Sequence, residues 1–266
     1  MFETFKQSST AKLLLIIVIV WIILAILFGF TDLEISKAVA DENSEWGIFG
    51  RDYGEVPGYA LIAIALATFL GSFNNNLNLQ KIPAYISVVV GIFFVIFANG
   101  KTDFYTGWSL IIPMIFYVIF TWNKDWKKYR NLAGIISLLA IINPLILIQI
   151  IKIFWGRVRF RDLAPGFADY TPWFLPQGLT GNRSFPSGHT VMGWMFLPLL
   201  IAVKDRKNTD LIKILSSFLI FGWGIFVGLS RIAIGAHYAS DVLFSTGMSS
   251  VITILLYNKF YIRQED

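Results

Sequence analysis

The chain has 266 residues, of which 56% are hydrophobic and only 15% are charged. A soluble domain carries about a quarter charged residues, and here the apolar residues form long unbroken blocks, which excludes an ordinary soluble domain. The net charge of +5 comes from lysines and arginines in short loops, as expected on the cytoplasmic side of a membrane, and does not indicate nucleic acid. Without cysteine, disulfides and thiolate chemistry are excluded.

The first apolar block, Leu13–Phe30, follows Lys6 and Lys12. A signal peptide ending at the cleavage-like residues 38–40 is one interpretation. The block is longer than the roughly 7–15 apolar residues of a signal peptide, which favours an uncleaved signal anchor. Residues 31–57 are polar and acidic, and we expect an extracytoplasmic loop there.

Seven further apolar blocks give about eight transmembrane helices, with six as the alternative count. They cover about Gly58–Phe73, Ile82–Ala98, Trp108–Trp122, Leu132–Ile153, Gly188–Val203, Leu211–Leu229 and Tyr238–Tyr257. The alternative count of six leaves out the hairpin over 82–122, whose second span is short and contains Pro113. The sequence therefore predicts an all-α, polytopic membrane helix bundle, with N-terminal helices in 1–131 and a core in 132–266 that holds the motifs described next.

Basic loops set the expected orientation. Lysines and arginines are concentrated in 123–131 and 203–211, and placing both loops in the cytoplasm leaves both termini inside. The same alternation puts the 153–185 loop, the 229–237 stretch and the start of the helix at Gly188 on the opposite face. We therefore expect a multi-pass protein of the plasma or inner membrane, with its motifs on the extracytoplasmic face.

The first motif pairs Lys152 with Arg159, seven residues later. In a helix this spacing is about two turns, so both side chains can converge on one anion. Alternatively, Lys152, Arg157, Arg159 and Arg161 are interfacial anchors that extend to lipid head groups. Positive charge is disfavoured in short non-cytoplasmic loops, which favours a functional role for the group.

The second motif, Pro186-Ser187-Gly188-His189, opens the sixth span. Proline suits a helix start, serine caps it, and glycine lets a ligand approach the backbone. Free N–H groups at such a start bind anions. The alternative is an ordinary cap followed by an interfacial histidine.

The third motif contains Ser230-Arg231, His237 and Asp241. His237 and Asp241 are four residues apart, so we expect them on one side of the last helix. A carboxylate on one ring nitrogen fixes the tautomer and frees the other nitrogen to attack. Arg231 offers a fork of donors suited to phosphate oxygens. A capped helix with a surface Asp–Arg pair is the alternative.

These stretches resemble the signature of the type 2 phosphatidic acid phosphatase (PAP2) family, which shares its core with the vanadium haloperoxidases. The family pattern has three parts. The first is Lys, six residues and then Arg-Pro, and the second is Pro-Ser-Gly-His. The third is Ser-Arg, five residues, His, three residues and Asp. The second and third parts are present in full, whereas Phe160 stands where the first usually has proline. The resemblance covers about 152–241, and the N-terminal half carries no matching motif.

The resemblance implies a phosphatase in which His237 attacks phosphorus and forms a phosphohistidine, while Asp241 orients it. His189 would protonate the departing oxygen and then activate water. No metal or other cofactor is implied, because cations stabilise the transferring group. The implied phosphate-binding residues are Lys152, Arg159, Ser187, Gly188 and Arg231.

The expected substrate is a membrane lipid phosphate or diphosphate, because a phosphate site at the membrane surface can receive a head group whose tail stays in the bilayer. Polyprenyl diphosphate of the undecaprenyl type, phosphatidylglycerophosphate, phosphatidate and a lipid A phosphate all fit, and the oligomeric state stays open. The aromatic loop Phe160–Phe185 is expected to cover the site, with an interfacial aromatic belt as the alternative.

Two other functions are alternatives. A phosphotransferase would use the same intermediate but pass phosphate to an acceptor other than water. A non-enzymatic transporter is suggested only by Asn143, Pro144 and Gln149 in the fifth span, which a packed kink explains equally well.

Overall fold

A computed structural model describes residues 2–262, with side chains described from Thr10 onward. Met1 and residues 263–266, at the ends of the two predicted regions, lie outside the described residues. Within 2–262 the chain forms α-helices with short 3-10 and π-helical segments and no β-strand. The predicted all-α fold is confirmed.

The helices are numbered in chain order. They are α1 Phe2–Val39, α2 Glu45–Tyr53, α3 Val56–Gly71, α4 Ile82–Ile96, α5 Lys101–Phe120, α6 Arg130–Ala140, α7 Ile148–Trp155, α8 Gly188–Gly193, α9 Leu200–Val203, α10 Leu211–Ala233 and α11 Ala239–Tyr257. Seven helical segments of the described chain are long and apolar enough to cross a membrane, and Gly188–Val203 is apolar but shorter. The predicted count of eight is therefore approximate.

The segment expected as a loop over 31–57 is mostly helical. α1 continues to Val39 and α2 begins at Glu45, so only short turns remain. Asp32 is fully buried on α1. Its acidic side chain suggested a solvated loop, but its partner lies 125 residues away in sequence, which a local pattern does not reveal.

α6 and α7 form one span that is interrupted by the π-helical turn Ile141–Leu147 around Pro144. Proline removes a backbone donor, and a π-turn accommodates the interruption. Asn143 Nδ2 donates to Ser249 Oγ at 2.9 Å, and Gln149 Nε2 donates to the Pro144 carbonyl at 3.1 Å. These polar side chains therefore serve a packed kink, the alternative to a transport pathway.

Helix packing brings the three motifs to one place. α1 packs against α11, α3 against α6, and α10 against both α2 and α8. Apolar side chains such as Ile23, Phe93 and Phe218 point outward, as expected where lipid replaces water. The end of α7, the start of α8 and the turn between α10 and α11 thereby meet around one site.

Candidate active site

The turn between α10 and α11 holds His237 against Asp241. The backbone N–H groups of Ala236 and His237 both donate to the Arg231 carbonyl, at 3.0 and 3.2 Å. This turn places His237 just before α11, and its Nδ1 lies 3.4 Å from Asp241 Oδ2 in the first turn of that helix. The predicted pair therefore meets, although His237 is not itself part of the helix.

His237 is 3% exposed, and its surroundings favour the neutral ring. Burial lowers the pKa of His237 to about 3; the charges of Lys152 and Arg231 act in the same direction, and Asp241 opposes them. Desolvation penalises the charged imidazolium. With Nδ1–H donating to Asp241, Nε2 keeps a free lone pair and can act as a nucleophile.

Asp241 is fixed on both oxygens. Its Oδ2 also accepts from the Tyr238 backbone N–H at 3.0 Å and from Ser184 Oγ at 2.5 Å. Its Oδ1 accepts from Arg157 Nη1 at 2.7 Å. Because the carboxylate cannot rotate without breaking these bonds, it holds the His237 ring in one orientation.

Arg157 and Asp32 are two buried charges that the sequence did not assign to the site. Arg157 is 1% exposed and does not fit the interfacial-anchor alternative. It bridges Asp241 and Asp32, and its Nη2 donates to Asp32 Oδ2 at 2.9 Å. Its guanidinium lies 3.8 Å from the centre of the Tyr238 ring. Asp32 also accepts from the Ser240 backbone N–H at 2.9 Å. The signal available in the sequence was a carboxylate at the end of a long apolar run.

Lys152 and Arg159 do not share a helical face, so that prediction is wrong. α7 ends at Trp155, and Gly156 terminates it in the left-handed region at φ 60°. Arg159 follows in extended backbone. The spacing argument failed because it did not anticipate this glycine C-cap.

The two cations nevertheless face one site. Lys152 Nζ lies 3.7 Å from the position that a Cβ atom would occupy on Gly188. Arg159 interacts electrostatically with both Lys152 and Arg231. The chain brings these side chains together through the loop after α7 rather than through a helix surface.

Arg231 is the strongest sign of a bound anion. Its side chain is 5% exposed, and its Nε and Nη1 have no hydrogen-bond partner among the described residues. Glu55 interacts electrostatically with this guanidinium, but buried donors that are left without a hydrogen-bond partner are costly. A phosphate group would add negative charge and accept from both donors.

Ser187 caps α8, as predicted. Its Oγ accepts from the Thr190 N–H at 3.4 Å and from Thr190 Oγ1 at 2.8 Å. Its own backbone N–H donates to the Asp241 carbonyl at 3.2 Å, which ties the second motif to the third. Gly188 follows beside Lys152, at the start of a helix of only six residues.

His189 lies beside the same cations and has two acceptors of its own. Its Nδ1 lies 3.0 Å from Glu55 Oε1, and its Nε2 lies 3.3 Å from the Arg51 carbonyl. It interacts electrostatically with Arg231, His237 and Lys152. The structure therefore brings both histidines to one cationic site. Sequence reasoning missed Glu55, which lies just before α3.

A cavity of about 420 Å³ opens next to Lys152. Its other lining residues include Arg183 and Asn182, which offer charged and amide groups, and the apolar Leu179. This lining suits a polar, anionic head group adjoining the phosphate site.

The loop after α7 is fastened beside the site by aromatic contacts. Trp155 stacks on Phe185 at 4.6 Å, and Trp173 contacts Phe244 of α11 at 4.5 Å. Trp173 Nε1 also donates to the Ala25 carbonyl of α1 at 2.8 Å. These contacts fix the loop against two membrane helices, whereas its Leu179 is exposed.

Two imidazoles meet the cationic side chains of Lys152, Arg159 and Arg231 in a helical membrane bundle. This arrangement defines the class: an integral membrane protein built to handle phosphate esters. Among the side chains described, from Thr10 onward, no group of three or more histidine or carboxylate side chains is placed to hold a metal ion. The chain belongs to the PAP2 superfamily, whose family model matches residues 133–265. The resemblance drawn from the three motifs is confirmed.

Three curated proteins illustrate the similarity. The lipid A 4'-phosphatase of Francisella tularensis subsp. novicida is 28% identical over 74% of this chain and 86% of its own length. Phosphatidylglycerophosphatase B of Bacillus subtilis is 26% identical over 53% of this chain and 64% of its own length. The lipid A 1-phosphatase of Rhizobium etli is 26% identical, with coverage of 51% and 55%. No solved structure gives a significant match.

Proposed function

We propose that the protein is a membrane lipid phosphatase that removes phosphate from a lipid phosphate or diphosphate through a phosphohistidine on His237. The observation that carries this proposal is the buried guanidinium of Arg231, which has two nitrogens without a hydrogen-bond partner and interacts with both imidazoles. Membership of the PAP2 superfamily supports it, as do three relatives that are each named as a phosphatase.

In the first step, the lone pair of His237 Nε2 attacks phosphorus, and a P–N bond forms as the P–O bond to the lipid breaks. His189 gives its Nε2 proton to the departing oxygen. Lys152, Arg159 and Arg231 hold the non-bridging oxygens, and most of the catalysis comes from such positioning and charge stabilisation.

In the second step, water attacks the phosphohistidine and gives a proton to His189. The P–N bond breaks, inorganic phosphate leaves, and His237 returns to its neutral form. Asp241 keeps the His237 ring in place throughout, since its other oxygen is held by Arg157. His189 thus acts as acid in one step and as base in the next.

The proposed location is the plasma or inner membrane, with both termini in the cytoplasm and the active site on the extracytoplasmic face. The basic loops between α5 and α6 and between α9 and α10 support this orientation. The cavity beside Lys152 supports a substrate whose head group leaves the bilayer while its tail stays in lipid.

The test is phosphate release by the purified protein in chelator from phosphatidate, phosphatidylglycerophosphate, a polyprenyl diphosphate and lipid A. His237→Ala should reduce turnover by at least about a thousandfold and yield no acid-labile phosphoenzyme. His189→Ala should slow both steps, and Lys207→Ala on the loop before α10 is the matched control that should behave as wild type.

Three results would count against the proposal. Strict dependence on a divalent metal would contradict the metal-free mechanism. Near-normal activity of His237→Ala would contradict the nucleophile. A phosphoenzyme that loses its phosphoryl group only when an acceptor alcohol is added, with the alcohol recovered as its phosphate ester, would identify a phosphotransferase instead.

A further inference from the structure

Glu55 contacts His189, although it lies outside residues 133–265, which match the family model. Its Oε1 lies 3.0 Å from His189 Nδ1, and its Oε2 accepts from the Tyr59 hydroxyl at 3.2 Å. The Glu55 side chain is only 17% exposed, and that of His189 is 24% exposed. A carboxylate is therefore held in place against the ring by α3, a helix that precedes residues 133–265.

The second ring nitrogen constrains the number of protons. Nε2 lies 3.3 Å from the Arg51 carbonyl, and a carbonyl oxygen can only accept, so Nε2 carries a hydrogen. The short contact between Nδ1 and Glu55 Oε1 also requires one hydrogen, on either atom. His189 and Glu55 together therefore hold two protons, one of them on the nitrogen that faces away from Glu55.

The charges around His189 explain why the Glu55 carboxylate is needed to keep both protons on the His189–Glu55 pair. His189 interacts electrostatically with Arg231 of α10, Lys152 of α7 and His237. Glu55 interacts with Arg231, Lys152 and Tyr59. Because burial, and after it the nearby cations, disfavour a charged imidazolium, the ring would lose its proton easily if Glu55 were uncharged or absent.

We propose that Glu55 is a positioning residue that keeps His189 protonated for departure of the lipid oxygen. This inference rests on the proposed function. As the P–O bond breaks, the Nε2 proton passes to the departing oxygen, which takes the place of the Arg51 carbonyl as acceptor. As water then attacks and the P–N bond breaks, a water proton returns to Nε2. Glu55 touches neither the lipid nor the phosphate and acts only through His189.

The test compares Glu55→Gln with wild type across pH, using phosphatidate in mixed micelles or whichever lipid of the panel wild type hydrolyses. We expect kcat to fall by about 100-fold, the lower end of what general acid catalysis contributes. We expect KM to change by less than about threefold, because Glu55 does not bind substrate. The basic limb of the kcat profile should move to lower pH, since the imidazolium loses its proton more readily without the carboxylate.

Two variants complete the design. Glu45→Gln removes the same charge from an exposed position at the start of α2 and should leave the profile unchanged. Glu55→Asp keeps the charge but withdraws it from the 3.0 Å contact, so its basic limb should lie between those of wild type and Glu55→Gln. If the glutamine variant does not elute as a folded protein, the aspartate variant alone decides the direction of the shift.

The outcomes separate the two proposals. An unmoved basic limb in a folded Glu55 variant would overturn the role of Glu55, even in an active phosphatase. A raised KM with unchanged kcat would also overturn it and place Glu55 at the head group. No phosphate release by wild type from any lipid would instead be a failure of the proposed function.

Discussion

The two histidines need opposite protonation states, and their neighbours differ accordingly. A nucleophile needs a free lone pair, whereas a general acid needs a proton to give. The carboxylate behind His237 shares its charge with Arg157, which reduces its pull on an imidazolium proton. The carboxylate behind His189 instead accepts from the Tyr59 hydroxyl, and its ion pair is with the imidazole itself. The same pairing of imidazole with carboxylate therefore serves two different ends.

The protonation of His237 can be measured directly. In His189→Gln, His237 is the single remaining imidazole of the chain. Because burial holds the pKa of His237 at about 3, nitrogen-15 NMR should show a neutral ring from pH 8 down to about pH 4, well below the usual midpoint of about 6.5. A midpoint near that usual value would show that the ring is solvated rather than buried.

Arg183 provides a test of the head-group cavity. It is exposed and lines the cavity beside Lys152. Arg183→Gln should raise KM by about 2–5-fold for a diphosphate lipid and change it little for a monophosphate, because a solvated ion pair contributes at most about 1 kcal/mol. Steady-state kinetics on both lipids would check this, with Arg206→Gln on the loop before α10 as the control. Equal effects on both lipids would contradict a second anionic subsite.

At the scale of helices, α1 is part of the site although it precedes the family-matching residues 133–265. Its Asp32 completes the coordination of Arg157, and its Ala25 carbonyl accepts from Trp173 of the loop after α7. Gly247 of α11 permits this approach, because a Cβ there would lie 2.6 Å from the Trp21 ring. A displacement of α1 would therefore reach Asp241 through Arg157.

Asp32→Asn should be strongly destabilising. Removing one member of a buried charge group costs about 3–5 kcal/mol in soluble proteins, and we expect a loss of that order here. The matched control is Glu34→Gln on the same helix, whose side chain is 71% exposed and pairs with Lys37 at 2.8 Å; such surface pairs contribute about 0–1 kcal/mol. The unfolding temperature in detergent and kcat would both be measured. Equal behaviour of the two variants would show that Arg157 does not need Asp32.

Local sequence patterns predicted where the helices lie better than they predicted the residues at which the helices begin and end. The apolar blocks located the spans, and the three motifs located the residues that meet at the site. The stop of α7 at Gly156 and the extension of α1 to Val39 were missed, because an apolar run does not reveal a C-cap or a buried charge. Asp32 and Glu55 could not be assigned, since their partners are distant in sequence and neither belongs to a motif.

The predicted orientation of the protein in the membrane can be tested by labelling single cysteines. The chain has no cysteine, so single cysteines can report accessibility without a background signal. Leu179→Cys, at a residue that is 75% exposed in the loop after α7, should be labelled by an impermeant maleimide on intact cells. Lys124→Cys should be labelled only after lysis. The reverse pattern would place the active site in the cytoplasm.

The bridge from Asp32 through Arg157 to Asp241 also limits how the chain can be divided. A chimera that joined the C-terminal half with its motifs to foreign N-terminal helices would keep both histidines and the cationic side chains of the site. It would lack Asp32 of α1, which pairs with Arg157, and Glu55 before α3, which pairs with His189. A functional chimera should therefore take α1 to α3 and the three motifs from the same protein.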